Sequence, residues 1–244
     1  MDRRGELLGW EAVGRLDLGT GFCTGTLIAR DIVLTAAHCL FDRESGAPIS
    51  PDRMLFRAGY HRGQEIALRR VTRVAVADGY VPSVGGLSNG QNIGRDVALL
   101  KLQSEIFSAE ADPFRVIRDV ATGTQVSVVS YGRGREEVLS RQASCALTRT
   151  YRDGVLGFDC DVTFGSSGAP VFIREDGRLR IFSVVSAMSA EPGRNEAYGM
   201  VLPPIVDALM ARMRVSDARP VVSSGARRIT VGTRGGTGAR FVRP

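Results

Sequence analysis

The chain has 244 residues, 43% hydrophobic and 24% charged, a balance that supports a folded core and excludes wholesale disorder. No apolar run reaches the roughly 18 residues that a membrane-spanning helix requires. The formal net charge of +6 collects at one end: eight Arg against one Asp follow residue 211, leaving −1 on residues 1–211, a body with no electrostatic footprint for nucleic acid.

Twenty-nine glycines and 10 prolines among Val, Ile and Thr runs predict many short strands joined by tight turns. The first expected strands, Phe22–Ile28 and Ile32–Thr35, flank a turn at Arg30-Asp31. Further ones are expected at Val71–Ala77, Val97–Leu102, Gln125–Tyr131, Ser144–Thr150, Val155–Asp159, Pro170–Ile173, Leu179–Ala187 and Ala197–Leu202. Asp153-Gly154 and Asp176-Gly177 carry hairpin-turn chemistry, because glycine reaches positive φ at little cost. With no long helical pattern between them, these strands point to an all-β barrel or sandwich. One helix is expected after Pro203-Pro204, with Ile205, Leu209 and Met213 on one face packing against the β-structure. Residues 1–213 then form the domain. Residues 214–244, rich in Arg and Gly, can bury little and read as a mobile, solvated tail, with contact to anionic surfaces as the second reading.

The four cysteines fall into two pairs of similar spacing, Cys23/Cys39 and Cys145/Cys160. Neither pair is a CxxC, and two histidines are few for a zinc site, so two disulfides in an oxidising compartment are expected. Met1–Thr20 holds no apolar signal segment. Either a signal has been removed from a secreted or periplasmic protein, or the chain is cytosolic with four thiols; the first reading is preferred.

Three segments carry chemistry. Leu34-Thr35-Ala36-Ala37-His38-Cys39 places a histidine after a strand. Arg95-Asp96-Val97-Ala98-Leu99-Leu100 opens a strand with an aspartate, and Gly165-Ser166-Ser167-Gly168-Ala169-Pro170 sets a serine in a glycine-flanked turn. Taken singly, each is as well explained by a strand-flanking histidine, a turn aspartate and a loop serine. Together they resemble the TAAHC, DIALL and GDSGGP signatures of the trypsin/chymotrypsin-like serine peptidases, in the same order, over about Gly14 to Leu202. The resemblance implies two antiparallel six-stranded β-barrels with a C-terminal helix. It also implies a polypeptide substrate and a reaction that uses neither metal nor organic cofactor.

By the same resemblance Ser167 is the nucleophile, His38 the general base and Asp96 the carboxylate that orients the imidazole. A serine hydroxyl needs such a base near neutral pH, and histidine is suited to take and return the proton. The backbone N–H groups of Gly165 and Ser167 are expected to face the oxyanion. Ser183–Met188 resembles the strand that pairs with an extended substrate, with Ser186, Ala187 and Met188 on the specificity pocket. Tyr131-Gly132 resembles an aromatic-Gly pair of packing function, and His61 reads as a solvated loop residue.

The departures are as informative. Ser166 stands where animal digestive members have an aspartate that pairs with a new N-terminus, so activation by that switch is not expected. The chain looks closer to bacterial, glutamyl-endopeptidase-like members, yet Val185 stands where those carry a histidine, and glutamate specificity is not implied. Asp161, six residues before Ser167, stands at the pocket-floor position of tryptic members; a strand-end role and a specificity role both fit it. Cys23 and Cys39 match the family's disulfide beside the catalytic histidine. Cys145 and Cys160 fall directly opposite if the intervening hairpin loop is Tyr151–Gly154, and diagonal if the turn is Asp153-Gly154 alone. A non-catalytic binding module on the same fold is the competing function, because a fold does not guarantee activity.

Overall fold

The structure is a computed structural model that describes residues 1, 3–84, 90–117, 120–189 and 196–217. The basic tail from residue 218 onward, with its expected mobility, lies outside the described residues.

Six antiparallel strands close the first barrel: β1 (Val13–Asp17), β2 (Phe22–Ala29), β3 (Ile32–Thr35), β4 (Leu55–Ala58), β5 (Ala67–Val76) and β6 (Ala98–Leu102). Their order is β1-β2-β3-β6-β5-β4, and β4 returns to β1 with Ala58 opposite Gly14. The inward positions Leu16, Leu27, Val33, Phe56, Leu100 and Leu102 fill its interior. A one-turn 3-10 helix, Ala37–Leu40, follows β3, and a one-turn helix α1 (Gly90–Ile93) stands before β6.

The second unit has seven strands: β7 (Gln125–Gly132), β8 (Arg135–Thr150), β9 (Val155–Phe158), β10 (Pro170–Glu175), β11 (Arg178–Val184), β12 (Ala187–Met188) and β13 (Ala197–Met200). They form one sheet in the order β11-β10-β7-β8-β9-β13-β12, a half-barrel where a second closed six-stranded barrel was expected. Leu179–Ala187, expected as one strand, is the reason. The chain leaves the sheet as edge strand β11 and rejoins it at the opposite edge as β12. Across the seam the Ser186 N–H donates to the Tyr198 carbonyl at 2.8 Å. The Ser183 hydroxyl donates to the Met200 carbonyl at 2.8 Å and accepts the Met200 N–H at 2.9 Å. The chain itself and a few hydrogen bonds thus link the two edges.

Strand β8 is far longer than expected because it serves two partners. Its first part pairs β7, with Ala146 opposite Gln125, and its last residues pair β9, with Leu147 opposite Phe158. Asp176-Gly177 is a two-residue turn with φ of +48° and +75°, closed by Glu175 opposite Arg178. Asp153 and Gly154 also have positive φ, inside a longer loop closed by the Tyr151 N–H to the Val155 carbonyl.

A third apolar cluster fuses the units. Ile32, Leu34 and Leu99 of the first meet Val129, Tyr131 and Ile181 of the second, under Leu7 and Trp10 from the N-terminal segment. Helix α2 (Pro203–Asp217) closes this seam with Val206, Leu209 and Met213, while Ile205 is only partly buried. Tyr131 is fully buried in the packing role expected of it, and its hydroxyl donates to the Tyr60 carbonyl at 2.7 Å. His61 departs from the expectation: it is half-buried, bridges Gln64 and Val138, and has its Nδ1 shut from solvent. The nearby β8 strand covers the turn that sequence alone left open to water.

Candidate active site

The apolar runs of β3 and β6 lie side by side, Leu34 opposite Leu99 and Thr35 opposite Ala98. That register carries His38, just past β3, to Asp96, just before β6. Asp96 is 2% exposed, and such a carboxylate requires full hydrogen-bond satisfaction. It has it. The His38 backbone N–H donates to Oδ1 at 2.7 Å, the His38 ring Nδ1 lies 2.6 Å from Oδ2, and the Ser186 hydroxyl donates to Oδ2 at 2.6 Å. A carboxylate only accepts, so the Nδ1 facing it carries the proton. In the neutral ring that leaves Nε2 with a free lone pair. The His38 side chain is one quarter exposed, so this lone pair can meet a substrate-side group.

Ser167 stands at the junction of the two units. Its carbonyl accepts the Thr24 N–H at 2.9 Å, and the Thr24 hydroxyl donates to the Gly165 carbonyl at 2.9 Å. The carbonyls of this turn therefore point back into the first barrel. Among the described residues neither the Gly165 nor the Ser167 N–H has a hydrogen-bond acceptor, and both residues border the larger cavity. Gly165 has φ +94°, and a Cβ there would overlap the Phe22 ring. Gly168, at φ +76°, sits against the Thr24 carbonyl and the Thr35 hydroxyl with no room for a side chain.

Ser166 is fully buried, and its hydroxyl shares a 3.0 Å hydrogen bond with the Ser130 hydroxyl. Neutral hydrogen bonds hold the turn where an ion pair would hold it in digestive relatives.

His38 and Ser167 line two adjoining cavities, of about 260 and about 490 Å³. Among the described residues the Ser167 hydroxyl makes no hydrogen bond to the His38 ring: the Asp96–His38 pair is formed, and Ser167 joins it as a shared wall. Such contacts are commonly loose before substrate arrives. Ser186, Ala187 and Met188 all line the smaller cavity, as expected for pocket residues. Asp161 does not; it is exposed, with its backbone N–H donating to the Gln142 side chain at 2.6 Å. Asp161 stands three residues past the end of β9.

Several site residues left no trace in the sequence motifs. Tyr80 and Ser83 line the smaller cavity together with Ser186, Ala187 and Met188, on a loop clamped by Asn92. The Asn92 amide accepts the Val81 N–H at 3.0 Å and donates to the Val81 carbonyl at 2.6 Å. Burial raises the Tyr80 phenol pKa above the usual tyrosine value, and the Asp96 charge raises it further, so Tyr80 offers a neutral hydroxyl. On the other side, Arg43 and Arg133 flank the exposed Phe164 ring at 5.3 and 4.3 Å.

Both expected disulfides are present, Cys23–Cys39 with Cα atoms 6.3 Å apart and Cys145–Cys160 at 5.2 Å. The first braces the turn that carries His38. The second pair falls opposite because a bulge between Leu147 and Arg149 restores the register after a five-residue loop. The sulfurs of Cys23 and Cys39 lie close to the His38 ring, and those of Cys145 and Cys160 lie close to Asp159. Being bonded in pairs, they offer no thiolate to a metal.

A closed six-stranded barrel fused to a half-barrel, with a buried Asp–His pair and a glycine-flanked serine at their junction, defines the trypsin-like two-barrel class. The family comparison agrees: the model described as trypsin-like peptidase domain matches residues 19–180, and the chain belongs to that family. No match was found among curated proteins.

Solved structures share the fold at low identity. A thermostable serine protease, AL20, from an extremophilic microorganism has TM-score 0.67 at 17% identity, covering 84% of this chain and 98% of its own. Protease Anisep from Arthrobacter nicotinovorans has TM-score 0.65 at 20% identity, covering 82% and 93%. A Glu endopeptidase in complex with MPD has TM-score 0.66 at 21% identity, covering 86% and 92%.

Proposed function

We propose that the chain is a serine endopeptidase that cleaves polypeptides through an acyl-enzyme, with His38, Asp96 and Ser167 as its catalytic residues. The observation that carries this reading is the 2.6 Å contact between His38 Nδ1 and the buried Asp96, on a ring that borders the same cavities as Ser167.

His38 Nε2 takes the Ser167 proton as Oγ attacks the scissile carbonyl carbon. The resulting oxyanion accepts from the N–H groups of Gly165 and Ser167, which have no other acceptor among the described residues. Collapse of this intermediate breaks the C–N bond, and His38 returns the proton to the departing amine. Water, deprotonated by the same imidazole, then hydrolyses the ester on Ser167. Asp96 stabilises the imidazolium through the Nδ1–H. Strand β12 is a sheet edge, which supports backbone pairing with an extended substrate. Two disulfides among the described cysteines support an oxidising compartment, secreted or periplasmic.

Ser167→Ala tests the assignment. Hydrolysis of an unfolded protein substrate by the purified variant is expected to fall by roughly 10³-fold or more, with the fold unchanged by circular dichroism. Near wild-type turnover would remove Ser167 as nucleophile.

A further inference from the structure

Resting on the peptidase reading, we infer that the smaller cavity selects substrates with an apolar side chain at the residue whose carbonyl is attacked, and rejects Glu, Asp, Lys and Arg there.

The two cavities meet at His38 and Ser167, and the charged side chains divide unequally between them. Asp42 and Arg43 border both, and Glu44, Arg133 and Glu136 border only the larger one. Among the described residues, the wall that belongs to the smaller cavity alone carries no Asp, Glu, Lys, Arg or His. Its apolar residues are Val162, Val185, Ala187 and Met188. Val162 and Val185 are at the same time members of the second unit's apolar core, 8% and 3% exposed. The cavity wall is thus an extension of the core, with no polar layer between.

The polar groups on this wall, Tyr80, Ser83, Thr163, Ser186 and Ser189, are uncharged, and the Ser83 hydroxyl already accepts from the Asn92 amide at 3.2 Å. The Ser186 hydroxyl donates to Asp96 and is not available to a substrate side chain. The Tyr80 phenol is neutral. Asp161, six residues before Ser167, is exposed on the surface and outside the lining. A carboxylate or guanidinium reaching past Asp42 and Arg43 at the shared border would lose its water against a wall on which no described residue carries an opposite charge, the costliest form of burial. A Leu, Met or Phe side chain loses nothing by entering and covers Val162 and Met188.

Four peptide anilides, identical except for Leu, Phe, Glu or Arg at the cleaved residue, test the inference. We expect kcat/KM for Leu or Phe to exceed that for Glu and Arg at least 100-fold. Met188→Arg, at a partly exposed wall position, should narrow the Leu-to-Glu ratio at least fivefold by supplying the missing charge. Labelling by a fluorophosphonate, measured on the same preparation, reports the catalytic reading separately. A labelled enzyme that cleaves the Glu or Arg peptide as well as the Leu peptide would overturn the pocket inference and leave the catalytic reading standing. An unlabelled protein would overturn the catalytic reading. The pocket is then decided by calorimetric binding of the same peptides to Ser167→Ala. Leu and Phe peptides binding at least tenfold tighter than Glu and Arg peptides support it, and equal binding overturns it.

Discussion

Asp96 accepts three hydrogen bonds in a site almost closed to water, and each holds something different in place. The His38 backbone N–H fixes the turn, the ring Nδ1 fixes the tautomer, and the Ser186 hydroxyl fixes the carboxylate itself. His38, Asp96 and Ser167 were legible because each sits in a short run of chain with its own local signature. The hydrogen bond from Ser186 was not, because it joins positions 90 residues apart through the seam of the second unit. The sequence pointed to Ser186 as a pocket residue, and its second task belongs to tertiary structure alone. Removing that hydroxyl should leave the Asp96 carboxylate one donor short of satisfaction. We expect Ser186→Ala to lower kcat by about tenfold, ~1.4 kcal/mol in the barrier, with the fold retained. Steady-state kinetics on one peptide ester checks it, and an unchanged kcat would show that the other two hydrogen bonds suffice.

The strands that sequence reading found are those with continuous apolar runs, such as β3 and β6, which are buried on both sides of the barrel wall. Strands β1 and β4 were missed because Arg15, Asp17 and Arg57 interrupt their apolar pattern. In the fold those charges face one another: Arg15 Nε lies 2.9 Å from Asp17, and Arg57 Nε lies 2.8 Å from the same carboxylate. An alternating strand with paired charges on its outer face looks like a loop until its neighbours are known. Register is the other quantity that sequence left open. It admitted two geometries for Cys145 and Cys160, and the bulge in β8 decided between them. Loops of 16 and 15 residues closed by disulfides are each worth about 3 kcal/mol in the chain-entropy account. The double variant Cys145→Ser, Cys160→Ser should therefore lose about 3 kcal/mol in urea unfolding while keeping its activity at moderate temperature. Losing the Cys23–Cys39 bridge should also reduce activity, because that bridge anchors the His38 turn. Equal activity in both variants would contradict the bracing role.

At the scale of the whole molecule, the candidate site exists only because two units meet. The first supplies His38 and Asp96, the second supplies Ser167 and the Ser186–Met188 strand, and Thr24 stitches them together at Gly165, Ser167 and Tyr131. The apolar seam from Leu34 to Val129, capped by Trp10 and helix α2, keeps the two halves in one relative position. The half-barrel closed by its own chain was not legible, because closure depends on where Leu179–Ala187 breaks rather than on its composition. The account stands or falls on whether Ser167 is activated by this assembly, since an unactivated serine does not react with a fluorophosphonate. Intact-mass and peptide mass spectrometry after such labelling is the most direct measurement. The account predicts one label per chain, on Ser167, and none on the unfolded chain. A folded protein that takes no label, or takes it on another residue, would contradict it.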